Sequence, residues 1–171
     1  MKHCITILSI LLSGWLWGQN CPLEASLPIP VNDSAVYSFE VFDVINNNLA
    51  APGQGVCGVQ MRFRHNSITD FEVWLKAPNG KEIQLIGPNA TVSPPTLGGS
   101  WNVTFVRCLA TPMPQVPFAQ RWNNSTNPFG ATGITGSYWP FLGCLEEFNT
   151  GPVNGTWELK LKTITSTQIR G

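Results

Sequence analysis

The stretch FEVWLKAPNGKEIQLI, residues 71–86, alternates apolar and polar side chains on both sides of a turn. Phe71, Val73 and Leu75 fall on one face of an extended chain, and Ile83 and Leu85 repeat the pattern beyond Pro78, Asn79 and Gly80. Successive side chains of a strand point to opposite faces, so a period of two describes a hairpin with one buried side and one wet side. Proline presets φ for a turn and glycine accepts a positive φ, which makes Pro-Asn-Gly a suitable corner.

The same period recurs along the chain. In VQMRFRH, Val59, Met61, Phe63 and His65 oppose Gln60, Arg62 and Arg64. In SWNVTFV, Trp101, Val103 and Phe105 share a face. In TWELKLK, Trp157, Leu159 and Leu161 oppose Glu158, Lys160 and Lys162. VYSFEVFDV, residues 36–44, reads as a further strand that is apolar on both faces near Phe42. No segment beyond the first 18 residues shows a capped 3.6-residue period. Short strands separated by turn signals predict an all-β, antiparallel sandwich. Each inward Trp, Leu or Phe contributes roughly 1.5–3 kcal/mol on burial, so half a dozen strands suffice for a core.

Size and charge narrow the field. A chain of 171 residues forms one domain with a real core. Charged residues make up 12%, against an ordinary share of about 25%, while 16 glycines and 14 prolines favour turns. Ten bases balance ten acids, so no net field draws the chain to nucleic acid or to an anionic membrane.

The opening residues MKHCITILSILLSGWLWGQ have a polar start and an apolar run over positions 5–17. Small Gly18 then precedes Gln19. They read as a signal peptide over 1–18, leaving 19–171 as one exported domain, secreted or held at the cell surface. The run falls short of the ~20 apolar residues of a membrane span, so none is expected in the mature chain. Lipidation would use Cys21, but Asn20 is a poor residue to precede it. Cleavage removes Cys4 and Lys2, leaving Cys21, Cys57, Cys108 and Cys144 in an essentially neutral chain. Four cysteines in an exported chain imply two disulfides with three possible pairings, and without a C-x-x-C spacing zinc is a weak reading.

The segment from Cys108 to Cys144 holds five prolines and shows no strand pattern. A loop of that length is functional or pinned. A Cys108–Cys144 bridge would close it, contributing roughly 4 kcal/mol in a chain-entropy account. Cys21–Cys57 would then tie down the N-terminal arm.

Three stretches, taken in order, resemble the P domain of proprotein convertases, in the variant found in large secreted proteins of gliding bacteria. They are GVCGVQMRFRHNSITDFEVWLKAPNGKEIQLIG, then WNVTF, then TGSYWPFLGCLEEFNTGPVNGTWELKLK. They match the family's strand, His65, Asp70, the Pro78 and Gly80 turn, the corner containing Asn149, and the strand entered through Gly155 and Trp157. The resemblance implies a β-sandwich of jelly-roll, galactose-binding-like type. The family continues into one more strand, so a fragment lacking its last strand is expected. Val106, Arg107 and Cys108 stand where related domains often carry acids, and Thr163 where they commonly carry aspartate. Both departures remove carboxylates that would otherwise be available to calcium.

Several residues could carry chemistry. His65, the one histidine of the mature chain, would have to serve any Ser-His-Asp triad, with Asp70 as its orienter. The alternative is a strand-end ring bonded to nearby backbone. No nucleophile elbow occurs, and no catalytic residue is expected. Asp70, Glu146 and Glu147 are candidate ligands for calcium, the one cofactor the sequence suggests, although they would have to gather from separate loops. As neighbours on a strand, Glu146 and Glu147 would face opposite ways and fail as an acid/base pair, so a solvated loop is the simpler reading. Trp74, Trp122 and Trp139 lie among polar residues and could meet a surface glycan or protein, with Trp122 the leading candidate. Alternatively they cover a small core of their own.

The expected function is a non-catalytic module of a larger exported protein, for adhesion, display or structural support. Two alternatives stand beside it: an accessory P domain of a secreted subtilisin-like endopeptidase, and a carbohydrate-binding module.

Overall fold

Seven strands and two 3-10 turns form among residues 27–65, 68–87, 99–112, 121–122 and 134–163, the residues that the computed structural model describes. The strands are β1 (Ser34–Val41), β2 (Gly58–His65), β3 (Phe71–Lys76), β4 (Glu82–Ile86), β5 (Gly99–Val106), β6 (Ile134–Tyr138) and β7 (Gly155–Thr163). The 3-10 turns are Ile68–Asp70 and Leu145–Phe148. One sheet has the order β1-β7-β3-β4 and the other β2-β5-β6. The chain is an all-β sandwich.

The hairpin of β3 and β4 forms as its alternation requires. Leu75 pairs with Ile83 and Lys76 with Glu82 across the two strands. Gly80 adopts φ 84°, and its N–H donates to the Ala77 carbonyl at 2.9 Å. The Asn79 side chain closes the corner by accepting the Lys81 N–H at 3.0 Å. A register shift between Val73 and Trp74 leaves two residues of β3 facing three of β4. This bulge lets both Leu85 and Ile86 be fully buried although they are consecutive.

The two sheets meet through aromatic rings. Phe63 of β2 stacks on Trp101 of β5 at 5.1 Å and lies 5.2 Å from Phe71 of β3, across the sandwich. Val73, Leu85, Val103 and Phe105 are sealed from solvent between the layers. Trp157 on β7 packs edge-on against Phe148 at 5.5 Å, and its indole N–H donates to the Val153 carbonyl at 2.9 Å. Asn149 and Asn154 fasten the loop after β1 to this corner. Asn149 Oδ1 accepts the Val56 N–H, and the Asn154 side chain exchanges two hydrogen bonds with Val44. Gly155, at φ 126°, lies where an added Cβ would meet the Pro78 ring at 2.9 Å.

Three expectations are corrected. The strand expected over 36–44 stops at Val41 because Asp43 takes a φ of 60°, which breaks the ladder and leaves Phe42 exposed. The proline-rich segment does contain a strand, β6, in the proline-free interval between Pro128 and Pro140. β6 is also parallel to β5, whereas the other paired strands are antiparallel. Its ITGSY sequence has no apolar alternation, and Gly136 sits opposite Val103, so only the neighbouring strand defines it.

Candidate functional site

The best-defined polar constellation surrounds the covalent closure of the long segment. Cys108 and Cys144 form a disulfide with a Cα–Cα distance of 5.6 Å. Cys144 directly precedes the 3-10 turn Leu145–Phe148, which buries Leu145 and Phe148 and therefore turns Glu146 and Glu147 outward. The two carboxylates take separate duties. Glu146 Oε2 accepts the Cys108 N–H at 3.0 Å, and Glu146 Oε1 accepts that of Leu109 at 2.9 Å. Glu147 Oε1 accepts the Cys144 N–H at 2.8 Å, while Glu147 Oε2 meets the Lys81 ammonium at 2.6 Å.

The electrostatics follow from these contacts. Burial alone would raise the Glu146 carboxyl. The backbone N–H groups of Leu109, Glu146 and Cys108, helped by the Arg107 charge, outweigh it and hold the pKa below the ordinary 4.5. For Glu147 the Lys81 ammonium is the main cause of a lowered pKa, with the Cys144 N–H adding to it. Both glutamates are consequently fixed as anions at neutral pH. Glu147 caps its own 3-10 turn at the Cys144 N–H, and Glu146 binds the backbone of Cys108 and Leu109, so both are more tightly engaged than the solvated loop expected from sequence.

Arg121 and Trp139 complete the clasp. The Arg121 guanidinium donates to the Pro140 and Gly143 carbonyls at 2.6 and 3.2 Å and lies 5.9 Å from the centre of the Trp139 ring. Trp139 donates its indole N–H to the Ala110 carbonyl at 2.9 Å, and its own carbonyl accepts the Trp122 N–H at 3.0 Å. Neither Arg121 nor Lys81 stands out in the sequence. An arginine within a long proline-rich segment carries no periodic signal, and Lys81 simply follows a hairpin turn.

The tryptophan expectation needs correction at its leading member. Trp122 is 1% exposed, edge-on to Tyr138 at 5.0 Å and 5.7 Å from Phe105, so it plugs the end of the β2-β5-β6 layer and offers no ring to a ligand. Trp139 is half-buried and held by hydrogen bonds. Trp74 faces outward on β3, partly covered by Lys160, whose Nζ stands 5.0 Å from the ring centre. It forms one wall of a groove of about 370 Å³, with Gln84, Leu142, Glu82 and Glu147 around the rest.

The calcium candidates are not assembled. Among the described residues, the cluster of potential metal ligands is Cys108, Cys144 and Glu146, with ligand atoms within 4.8 Å of one another, and it omits Asp70 and Glu147. Both sulfurs of that cluster are spent on the disulfide, and the Glu146 oxygens already accept N–H groups. Asp70 ends the other 3-10 turn, immediately before β3. His65 ends β2, with its ring stacked on Phe71 at 5.0 Å.

Cys57, one half of the expected Cys21–Cys57 bridge, is exposed, with its Sγ 3.7 Å from the Gly55 carbonyl. Cys21 and the expected signal segment, residues 1–18, lie outside the described residues. No helix among the described residues is long and apolar enough to cross a membrane. Compared with family models, curated proteins and solved structures, the chain matches none.

Proposed function

We propose that this chain is a non-catalytic β-sandwich module of an exported or cell-surface protein, serving adhesion, display or structural support. The observation that carries the reading is the use made of the polar residues between Gly143 and Phe148. Their carboxylates bind backbone N–H groups and a lysine, and their cysteine is covalently bridged. Those residues therefore hold the fold in shape. A bridge of this kind suits an oxidising compartment, which supports the export reading of the N-terminal apolar run.

The ordered resemblance to P domains favours a second reading, in which a jelly-roll module of this type supports a secreted subtilisin-like protease. It predicts a physical complex between the folded chain and such a protease.

Expression of the full chain in a host with an oxidising export compartment tests the proposal. Mass spectrometry should find a mature N-terminus at Gln19 and a peptide pair joined through Cys108 and Cys144. The purified chain should leave panels of peptide, ester and glycoside substrates unhydrolysed. An uncleaved cytosolic product, or turnover lost in His65→Ala, would refute it.

A further inference from the structure

The chain is neutral as a whole, but its charges are divided between the two sheets. The outer face of β1-β7-β3-β4 carries both signs and pairs them internally: Lys76 with Glu158 at 2.9 Å, and Lys162 with Glu72 at 3.4 Å. The other sheet differs. Residues 88–143, which include β5, β6 and the segments around them, contain Arg107 and Arg121 but no Asp or Glu. β2 adds Arg62, Arg64 and again no acid.

Register places these residues together. On the outer face of this sheet Arg64 pairs with Ser100, Arg62 with Asn102 and then Thr135, and Gln60 with Thr104 and then Ser137. The inward partners Phe63, Trp101, Val103 and Phe105 lie in the core, so the outward row consists of two guanidinium groups, amides and hydroxyls. Gln60 and Asn102 already form one amide–amide hydrogen bond at 3.0 Å. Among the described residues, Arg62 and Arg64 take part in no ion pair and are exposed. Two positions apart on a strand, they project about 7 Å from each other on the same side.

We infer that the outer face of β2-β5-β6 binds an anionic polysaccharide through Arg62 and Arg64. The planar guanidinium fork matches sulfate and carboxylate groups bidentately, and none of the three strands carries an acid to compete for it. The neighbouring Ser100, Asn102 and Thr104 offer donors and acceptors suited to sugar hydroxyls. Among the described residues this row lacks the large aromatic or aliphatic anchor that drives protein interfaces, and lacks a ring on which a neutral sugar could stack. Charge complementarity therefore selects the acidic saccharide. The inference rests on the adhesion reading above; its failure would leave display and structural support standing.

Affinity electrophoresis of the full chain through gels containing dextran sulfate, polygalacturonate or neutral dextran tests the inference. Retardation is expected in one or both anionic gels and not in the neutral one, and the two anionic arms distinguish sulfate from carboxylate as the recognised group. The exposed double variant Arg62→Gln, Arg64→Gln should melt as the parent does yet bind about tenfold more weakly or worse. Lys76→Gln with Lys160→Gln, on the outer face of the opposite sheet, should leave binding intact. Absence of retardation in both anionic gels, equal loss in the two double variants, or equally tight binding of poly-glutamate or single-stranded DNA would overturn the assignment.

Discussion

Glu146 accepts the backbone N–H of Cys108 at 3.0 Å, across 38 residues of sequence and beside the disulfide that joins Cys108 to Cys144. The same carboxylate takes the next N–H, that of Leu109. A covalent bond and a charge-assisted hydrogen-bond pair thus fasten one point twice. The covalent bond limits how far the unfolded chain can spread, while the carboxylate orients the entering backbone.

Glu146→Gln keeps one acceptor oxygen and loses the charge, so it should cost about 1–2 kcal/mol in urea unfolding. The carboxyl is held below its ordinary pKa of 4.5 in the folded state. Its contribution is therefore present above the unfolded-state pKa and is lost as pH falls through the folded value. Stability of the parent should decline with acidification from about pH 5 downward, and the Gln variant should decline less steeply. Parallel slopes would show that the charge at this position is immaterial.

Opening the 108–144 bridge should lower stability by roughly 4 kcal/mol if unfolded-chain entropy dominates. Melting with and without reductant, checked against the Cys108→Ala, Cys144→Ala double variant, measures this. Unchanged melting would mean that the segment is held by its packing alone.

Trp122→Ala should cost about 3–5 kcal/mol, because it empties a cavity between Phe105 and Tyr138. The loss should appear as a lower unfolding midpoint. Equal stability combined with loss of a bound saccharide would restore the ligand-binding role that its burial removes.

Chelation should leave the melting temperature unchanged. Glu146 and Glu147 already spend their oxygens on N–H groups and on Lys81, and neither Glu147 nor Asp70 belongs to the cluster around Glu146. A fall in melting temperature with chelator, reversed by calcium, would contradict this geometry.

The strands with strict alternation are legible in the amino-acid order itself. Val59 to His65, Phe71 to Leu75 and Trp157 to Leu161 each alternate apolar with polar residue types, and a sheet is the only regular backbone with that period. The bridge between Cys108 and Cys144 is legible for a related reason: a long segment rich in proline needs closure at its ends. β6 is hidden, since ITGSY gains its definition from the hydrogen bonds of β5 and not from its own pattern. Trp122 misleads for the opposite reason. Its polar neighbours in sequence imply exposure, but its neighbours in space are Phe105 and Tyr138.

The sandwich follows from the order of residues, because side-chain alternation is a local property that each strand carries within itself. Three-dimensional assembly is needed to assign each glutamate its backbone partners, to seal one tryptophan, and to set the arginines of β2 in a row with hydroxyls and amides. Those outcomes depend on register between strands far apart in the chain, and pairwise distance is a quantity that no single segment encodes.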